Sequence, residues 1–213
     1  MSLDRSPRLQ ISWPTMLIEA ERLQLRPWRD ADRDAFAAMH ADPEVMWDLG
    51  GPISYAESEA KLDRYVRGFE QSGVSRWALI RRVDGVFIGY AGALFHPDHP
   101  LGPHFDMGWR LVRSAWGFGY ATEASGAALK DLFTRLPVSE ALAYTSPDNL
   151  RSQAVMARLG LRREPSRDFT ALYPGLGEWR GLVWAAAPDQ FREIEISTLG
   201  SPAQSKTSIP PDS

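Results

Sequence analysis

The sequence predicts an α/β fold (α+β): a central mixed sheet of seven strands with helices packed on both faces. Three observations point there. Short runs with apolar alternation recur along the chain, they are interrupted by four helical stripes with recognisable caps, and the order is strand, two helices, three strands, helix, strand, helix, two strands. A helix set between strands in the second half brings them side by side, whereas Asp84-Gly85 between two strand-like runs joins antiparallel neighbours.

Each element has its own local reason. Leu17-Ile18 and Leu23-Gln24-Leu25-Arg26 alternate up to Pro27 and read as the first strand. Asp30 is placed to cap a helix whose first turn carries Asp32 and Asp34, and whose Ala35, Phe36 and Met39 form an apolar stripe. Ser54-Tyr55-Ala56-Glu57 matches a capping box, after which Leu62, Tyr65, Val66 and Phe69 share a face until Gly73. Trp77–Ile80 and Val86–Tyr90 are strands about the Asp84-Gly85 turn, and a Pro- and His-rich loop leads to a fourth strand at 105–111. A small-residue helix with Ala121, Ala124, Ala128 and Leu132 on one face runs to Leu136-Pro137. Glu140–Thr145 is the fifth strand, Asn149 caps a helix ending at Gly160, and two strands near 167–173 and 178–185 close the sheet. Residues 1–16 are expected to be a flexible leader, 17–187 the folded domain, and 188–213 a mobile tail.

Composition limits the function classes. With 213 residues, 44% hydrophobic, the chain has room for one well-filled core. A net charge of −3 leaves no basic footprint for nucleic acid. The absence of cysteine removes disulfides, thiolate metal sites and thiol nucleophiles. The sequence shows neither a signal peptide nor an apolar run long enough to span a bilayer, so a cytoplasmic protein without membrane contact is expected.

The stretch Arg113-Ser114-Ala115-Trp116-Gly117-Phe118-Gly119-Tyr120-Ala121-Thr122-Glu123-Ala124 joins a strand end to two glycines and a helix start. Glycines permit positive φ and close backbone approach, and a helix N-terminus offers free N–H groups to an anion; the same glycines also suit a plain tight turn. Neither Gly-x-Gly-x-x-Gly nor Gly-x-x-x-x-Gly-Lys-Ser/Thr occurs, which counts against a nucleotide or dinucleotide site.

Four segments in order give a family likeness: Leu23–Trp28, Asp42–Met46, Gly108–Ala124 and Asn149–Leu161. Together they resemble the GCN5-related N-acetyltransferase (GNAT) superfamily, and within it the branch of ribosomal-protein alanine N-acetyltransferases. The resemblance implies a mostly antiparallel sheet splayed between its fourth and fifth strands, and acetyl-CoA as cosubstrate. It also implies a primary amine as acceptor, either a protein N-terminus or a small molecule; the order of assembly, including a dimer, is left open. The family pattern Gln/Arg-x-x-Gly-x-Gly/Ala falls on Trp116, Gly119 and Ala121, with Trp116 in place of the usual Gln or Arg, as is familiar in the ribosomal branch. Phe118 stands where a cation is common.

By the same resemblance, the cofactor would be held by Leu111, Val112, Arg113, Trp116, Gly117, Phe118, Gly119, Tyr120, Ala121, Thr122, Asn149 and Ser152. Backbone N–H groups at Leu111 and Val112 would meet the thioester oxygen, and Ser152 of Asn-x-x-Ser would protonate the departing thiolate. Asn149 and Ser152 can equally be a helix cap and its third residue. Asp106 is the first candidate for a general base and His104 the second, although an Asp at a strand start is also simply a solvated residue. Glu123 would repel phosphate and is expected to turn sideways into a structural contact. His96 and His99 lie in the proline-rich loop, and no metal site is expected. A module that binds CoA or acyl-CoA without transfer is the alternative to an enzyme.

Overall fold

The computed structural model describes residues 16–173 and 177–191. The predicted leader, apart from Met16, and the predicted tail beyond Phe191 lie outside the described residues. The elements run β1 (Ile18–Glu19), β2 (Leu23–Arg26), α1 (Arg33–His40), α2 (Pro43–Met46), α3 (Tyr55–Ser72), β3 (Arg76–Arg81), β4 (Phe87–His96) and β5 (His104–Leu111). They continue with α4 (Tyr120–Arg135), β6 (Ala141–Thr145), α5 (Leu150–Arg158), β7 (Arg162–Arg163), β8 (Phe169–Tyr173) and β9 (Gly177–Ala186).

The described sheet has the order β1-β2-β3-β4-β5-β6-β9-β7, with β8 paired to β9. Every pairing is antiparallel except β5 with β6, which is parallel and holds one register pair, Asp106 with Leu142. The sheet therefore opens between the strands predicted as fourth and fifth. Among the described residues nine strands replace the seven expected. The first predicted strand is two, because Ala20 N–H donates to the Leu23 carbonyl at 2.9 Å and closes a tight turn between β1 and β2. The two-residue β7 is too short to leave a periodic signal.

Most local cues act as read. Ser54 and Glu57 form the reciprocal capping box of α3, which stops at Gly73 with φ 75°. Asp84 takes Arg81 as an ion-pair partner and Gly85 has φ 70° in the β3–β4 turn. The cue at Asp30 differs: residues 30–32 form a 3-10 turn, and Asp32 is buried, accepting from both ends of the Arg26 guanidinium at 2.7 Å. α2 adds to the four helices expected, with its own local signature: Asp42 caps it through the Glu44 N–H at 2.8 Å, and Pro43 occupies its first turn.

The helices split between the faces. On one, Ala124, Ala128, Leu129 and Leu132 of α4 pack against Leu23, Leu25, Leu79, Ala91 and Met107, all buried. On the other, Phe36, Met39, Val45, Leu62 and Tyr65 from α1, α2 and α3 close over Tyr90 and Leu94 of β4.

Candidate functional site

The site begins where β5 ends. Val112 N–H donates to the Ile88 carbonyl at 3.0 Å, so Leu111 and Gly89 form the non-hydrogen-bonded pair of the ladder. The alternation turns the Leu111 N–H and carbonyl away from β4, toward the edge that β6 has left. Its carbonyl accepts from Trp116 Nε1 at 2.9 Å, and its N–H faces the gap. Val112 is thereby corrected: its N–H is spent within the sheet and is not a free donor.

Trp116 ties the end of β5 to the following loop and is flanked by two cations, Arg113 at 4.9 Å and Arg151 at 4.5 Å from its ring centre. Gly117 and Gly119 have φ 85° and 81°. Nothing crowds a Cβ at Gly117, and only Arg22 Nη2, at 3.6 Å, approaches one at Gly119, so backbone conformation, not space, demands glycine. Gly119 is the N-cap of α4 and offers no side-chain cap. The first-turn N–H groups of α4 thus have no intrahelical partner, and the helix dipole adds partial positive charge. Thr122 Oγ1 is buried without a partner among the described residues.

The opposite lip is α5. Asn149 Oδ1 accepts from Ser152 N–H at 3.0 Å, and Asn149 Nδ2 donates to Asp48 Oδ2 at 2.7 Å. Between the lips lies a cleft of about 770 Å3. Its walls include Leu111, Trp116, Gly117, Phe118, Gly119, Tyr120, Ala121, Thr122, Asn149 and Ser152, joined by Trp47, Asp48, Arg110, Arg151 and Arg158. Two expected cofactor residues, Val112 and Arg113, do not line it. Arg113 instead pairs with Glu44 at 2.8 Å, both side chains being largely exposed.

Asp106 and His104 stand apart from the cleft walls. Asp106 is neither solvated nor free: it is buried, ion-paired to Arg76, with His96 Nε2 at 3.6 Å. Burial alone would raise its pKa, but the Arg76 guanidinium, aided by His96 and His104, outweighs that and holds the carboxyl below its ordinary value. A carboxylate so stabilised is a poor proton acceptor, which corrects its reading as general base. His104 is buried too, and desolvation lowers its pKa; His99 is brought to about 4 by desolvation and by its histidine neighbours. The rings of His96, His99 and His104 lie 4.8–6.0 Å apart, yet among the described residues no group of three or more His, Asp or Glu side chains is arranged to hold a metal ion.

Glu123 does turn sideways. It accepts from the N–H of Arg22 and from its Nε, both at 2.7 Å, and Arg22 Nη1 donates to the Phe118 carbonyl at 2.9 Å. Arg22, from the β1–β2 turn, is thus a strut behind the glycine loop. Arg22 and Asp48 were missed by sequence reasoning because their partners are 62 to 101 residues away.

Comparison with known proteins agrees with this geometry. The family model described as an acetyltransferase (GNAT) domain matches residues 22–162. An uncharacterized N-acetyltransferase, YnaD, of Bacillus subtilis is 27% identical over 165 residues, covering 77% of this chain and 92% of the relative. The crystal structure of an acetyltransferase from Agrobacterium tumefaciens superposes with a TM-score of 0.68 at 26% identity, covering 84% of this chain and 99% of that one. RimL, the ribosomal L7/L12 alpha-N-protein acetyltransferase, shares the fold at 17% identity, with a TM-score of 0.66 and 85% and 98% of the two chains covered. The family model and the relatives define an acetyl-CoA-dependent acyltransferase. The chain belongs to the GNAT acetyltransferase family. Among the described residues no helix is long and apolar enough to cross a membrane.

Proposed function

We propose that this enzyme moves the acetyl group of acetyl-CoA to a primary amine by direct attack in a ternary complex, the acceptor being a protein N-terminal α-amine or a small-molecule amine. One observation carries the reading: the uncapped first turn of α4 and Ser152 in the first turn of α5 face one cleft, at the point where β5 and β6 part.

The residues divide the work. Gly117–Thr122 would receive the pyrophosphate on their N–H groups, with the unpartnered Thr122 hydroxyl as a further donor. Phe118 removes a cation from that loop, and Arg151 and Arg158 on the α5 wall supply positive charge instead. Acetyl-CoA, when bound, supplies an activated thioester. The Leu111 N–H stabilises its carbonyl oxygen as charge grows there. The amine nitrogen bonds to the carbonyl carbon, the carbon–sulfur bond breaks, and the Ser152 hydroxyl gives a proton to the sulfur. The nitrogen loses its own proton to water, and water returns a proton to the Ser152 oxygen, so the hydroxyl is restored.

Withdrawal of Asp106 as a base bears on the acceptor. Neutralising a lysine amine at pH 7 costs roughly 4–5 kcal/mol, whereas an α-amine near pKa 7.7–8.0 costs about 1 kcal/mol. A site whose first candidate base is held in an ion pair suits the α-amine, and the resemblance to the ribosomal branch supports the same choice. The test is acetyl-CoA consumption, with product identification, over peptides bearing free N-termini, N-blocked peptides containing lysine, and small amines. Turnover of free N-termini with N-blocked lysine peptides left unmodified is expected. Stabilisation by CoA without thiol release on any amine would instead establish a binding module.

A further inference from the structure

We propose that Asp48 is a positioning residue for acyl transfer: it holds the Asn149 amide in the one orientation that sets Ser152 in the cleft. The proposal rests on the assignment of Ser152 as proton donor. Asp48 lies in the 3-10 turn Trp47–Leu49 that follows α2, a segment on neither lip, and its two oxygens reach one lip each. Oδ1 accepts from Arg110 Nη1 of β5 at 3.1 Å, and Oδ2 accepts from Asn149 Nδ2 at 2.7 Å. Arg110 also donates to the Val45 carbonyl, which fixes the guanidinium to α2. β5 and β6 share only the Asp106–Leu142 pair, so Asp48 spans a gap that the sheet leaves open.

The chemistry of the amide makes the contact directional. A carboxylate only accepts, so the Asn149 group facing Asp48 must be the NH2, and its oxygen is left to accept from Ser152 N–H at 3.0 Å. A flipped amide would set donor against donor and acceptor against acceptor: NH2 against the Ser152 N–H, and oxygen against the carboxylate. Side-chain exposures of 12% for Asp48 and 11% for Arg110 leave this arrangement little screened by water. Removing the carboxylate frees the amide to rotate, loosens the first turn of α5, and lets the Ser152 hydroxyl drift from the sulfur. Misplacement on this scale is enough to slow a transfer step without weakening cofactor binding.

Steady-state kinetics on Asp48→Ala, Asp48→Asn, Ser152→Ala and the Asp48→Ala/Ser152→Ala double variant test this, using acetyl-CoA and the best acceptor of the amine panel. Asp48→Ala is expected to lower kcat about tenfold with the KM for acetyl-CoA within about twofold, and Ser152→Ala to lower kcat about a hundredfold. The double variant is expected to be no slower than Ser152→Ala, since a residue acting through Ser152 has nothing left to position. Asp48→Asn keeps an oxygen for Asn149 but turns its NH2 toward Arg110 and loses that ion pair, so its kcat is expected to fall less than that of Asp48→Ala; combined with Ser152→Ala it covers the case in which the alanine variant fails to fold. Losses that multiply in either double variant, a wild-type kcat in Asp48→Ala, or an Asp48→Asn rate no higher than that of Asp48→Ala would each overturn the proposal. A wild-type rate in Ser152→Ala would identify the failure as that of the proton-donor assignment itself.

Discussion

The two faces of the sheet are built on opposite principles. Under α4 the packing is mainly apolar, with Ser125 the buried exception, and Ala124 and Ala128 let the helix lie close to Leu25, Leu79 and Met107. Under α1 and α3 the aromatic cluster of Phe36, Tyr65 and Tyr90 closes over charge: Arg76 is buried against Asp106, Arg110 against Asp48, and His40 has no exposed surface. Apolar burial near 25 cal/mol per Å2 holds the first face together without directional demands. The second face spends stability to desolvate ions and recovers it only through defined partners. What this teaches is where precision is needed. The polar face feeds Arg110 and Asp48 into the cleft wall, while the apolar face supplies the rigid base from which α4 presents its first turn.

The largest break in that comparison is Arg76→Ala. It would leave Asp106 buried with no guanidinium, and a loss of about 3–5 kcal/mol in urea unfolding is expected. Arg76→Met combined with Asp106→Asn should recover much of it, because no unpaired charge remains. An equal loss in both variants would mean that the bonds from Arg76 to the Gly92 and Asp106 carbonyls, not the ion pair, carry the effect.

His40 gives an effect spread over the acid range, with a definite sign. Desolvation, then Lys61, lowers its pKa to about 3, so between about 3 and 6.5 the unfolded chain binds a proton that the folded one refuses. Stability from this group is complete above the unfolded pKa and is lost as pH falls toward 3, with a slope approaching about 1.4 kcal/mol per pH unit. His40→Gln should flatten that part of the stability–pH curve; an unchanged slope would show that His40 does not titrate in this way.

The smallest effect expected is at the strut. Arg22→Ala removes exposed contacts to Glu123 and Phe118, so stability should change by less than about 1 kcal/mol. CoA affinity should nonetheless fall several-fold, because the glycine loop loses its backing and Glu123 becomes an unpaired charge beside the phosphates. Titration calorimetry reads the difference, and an unchanged affinity would remove Arg22 from the account.

The features legible in the sequence are those with short-range causes. The capping box at Ser54 and Glu57, the Asp84-Gly85 turn, the Asn149 cap and the positive-φ glycines of the loop all act within four residues of themselves, and the structure has each of them. The order of elements was readable for the same reason. The cleft walls that the sequence pointed to lie close together along the chain, Leu111 with 115–122 and then 149–152. The polar face was not legible. Arg76 meets Asp106 across 30 residues and Asp48 meets Asn149 across 101, and a lone acid or base in a sequence carries no mark of its partner. Asp106 illustrates the cost of that gap: its position on β5 suggested chemistry, and its partner decided otherwise.

Binding of CoA to the wild-type chain and to Gly119→Val, followed by calorimetry, tests the central claim most directly. The site holds φ at 81°, so valine brings strain of about 1–2 kcal/mol but no clash with the core, and circular dichroism checks that the fold survives. Wild type is expected to bind CoA and the folded variant to bind at least about tenfold more weakly, because a side chain stands where the backbone must approach phosphate. Equal affinity in the two folded proteins would contradict the assignment of the glycine loop.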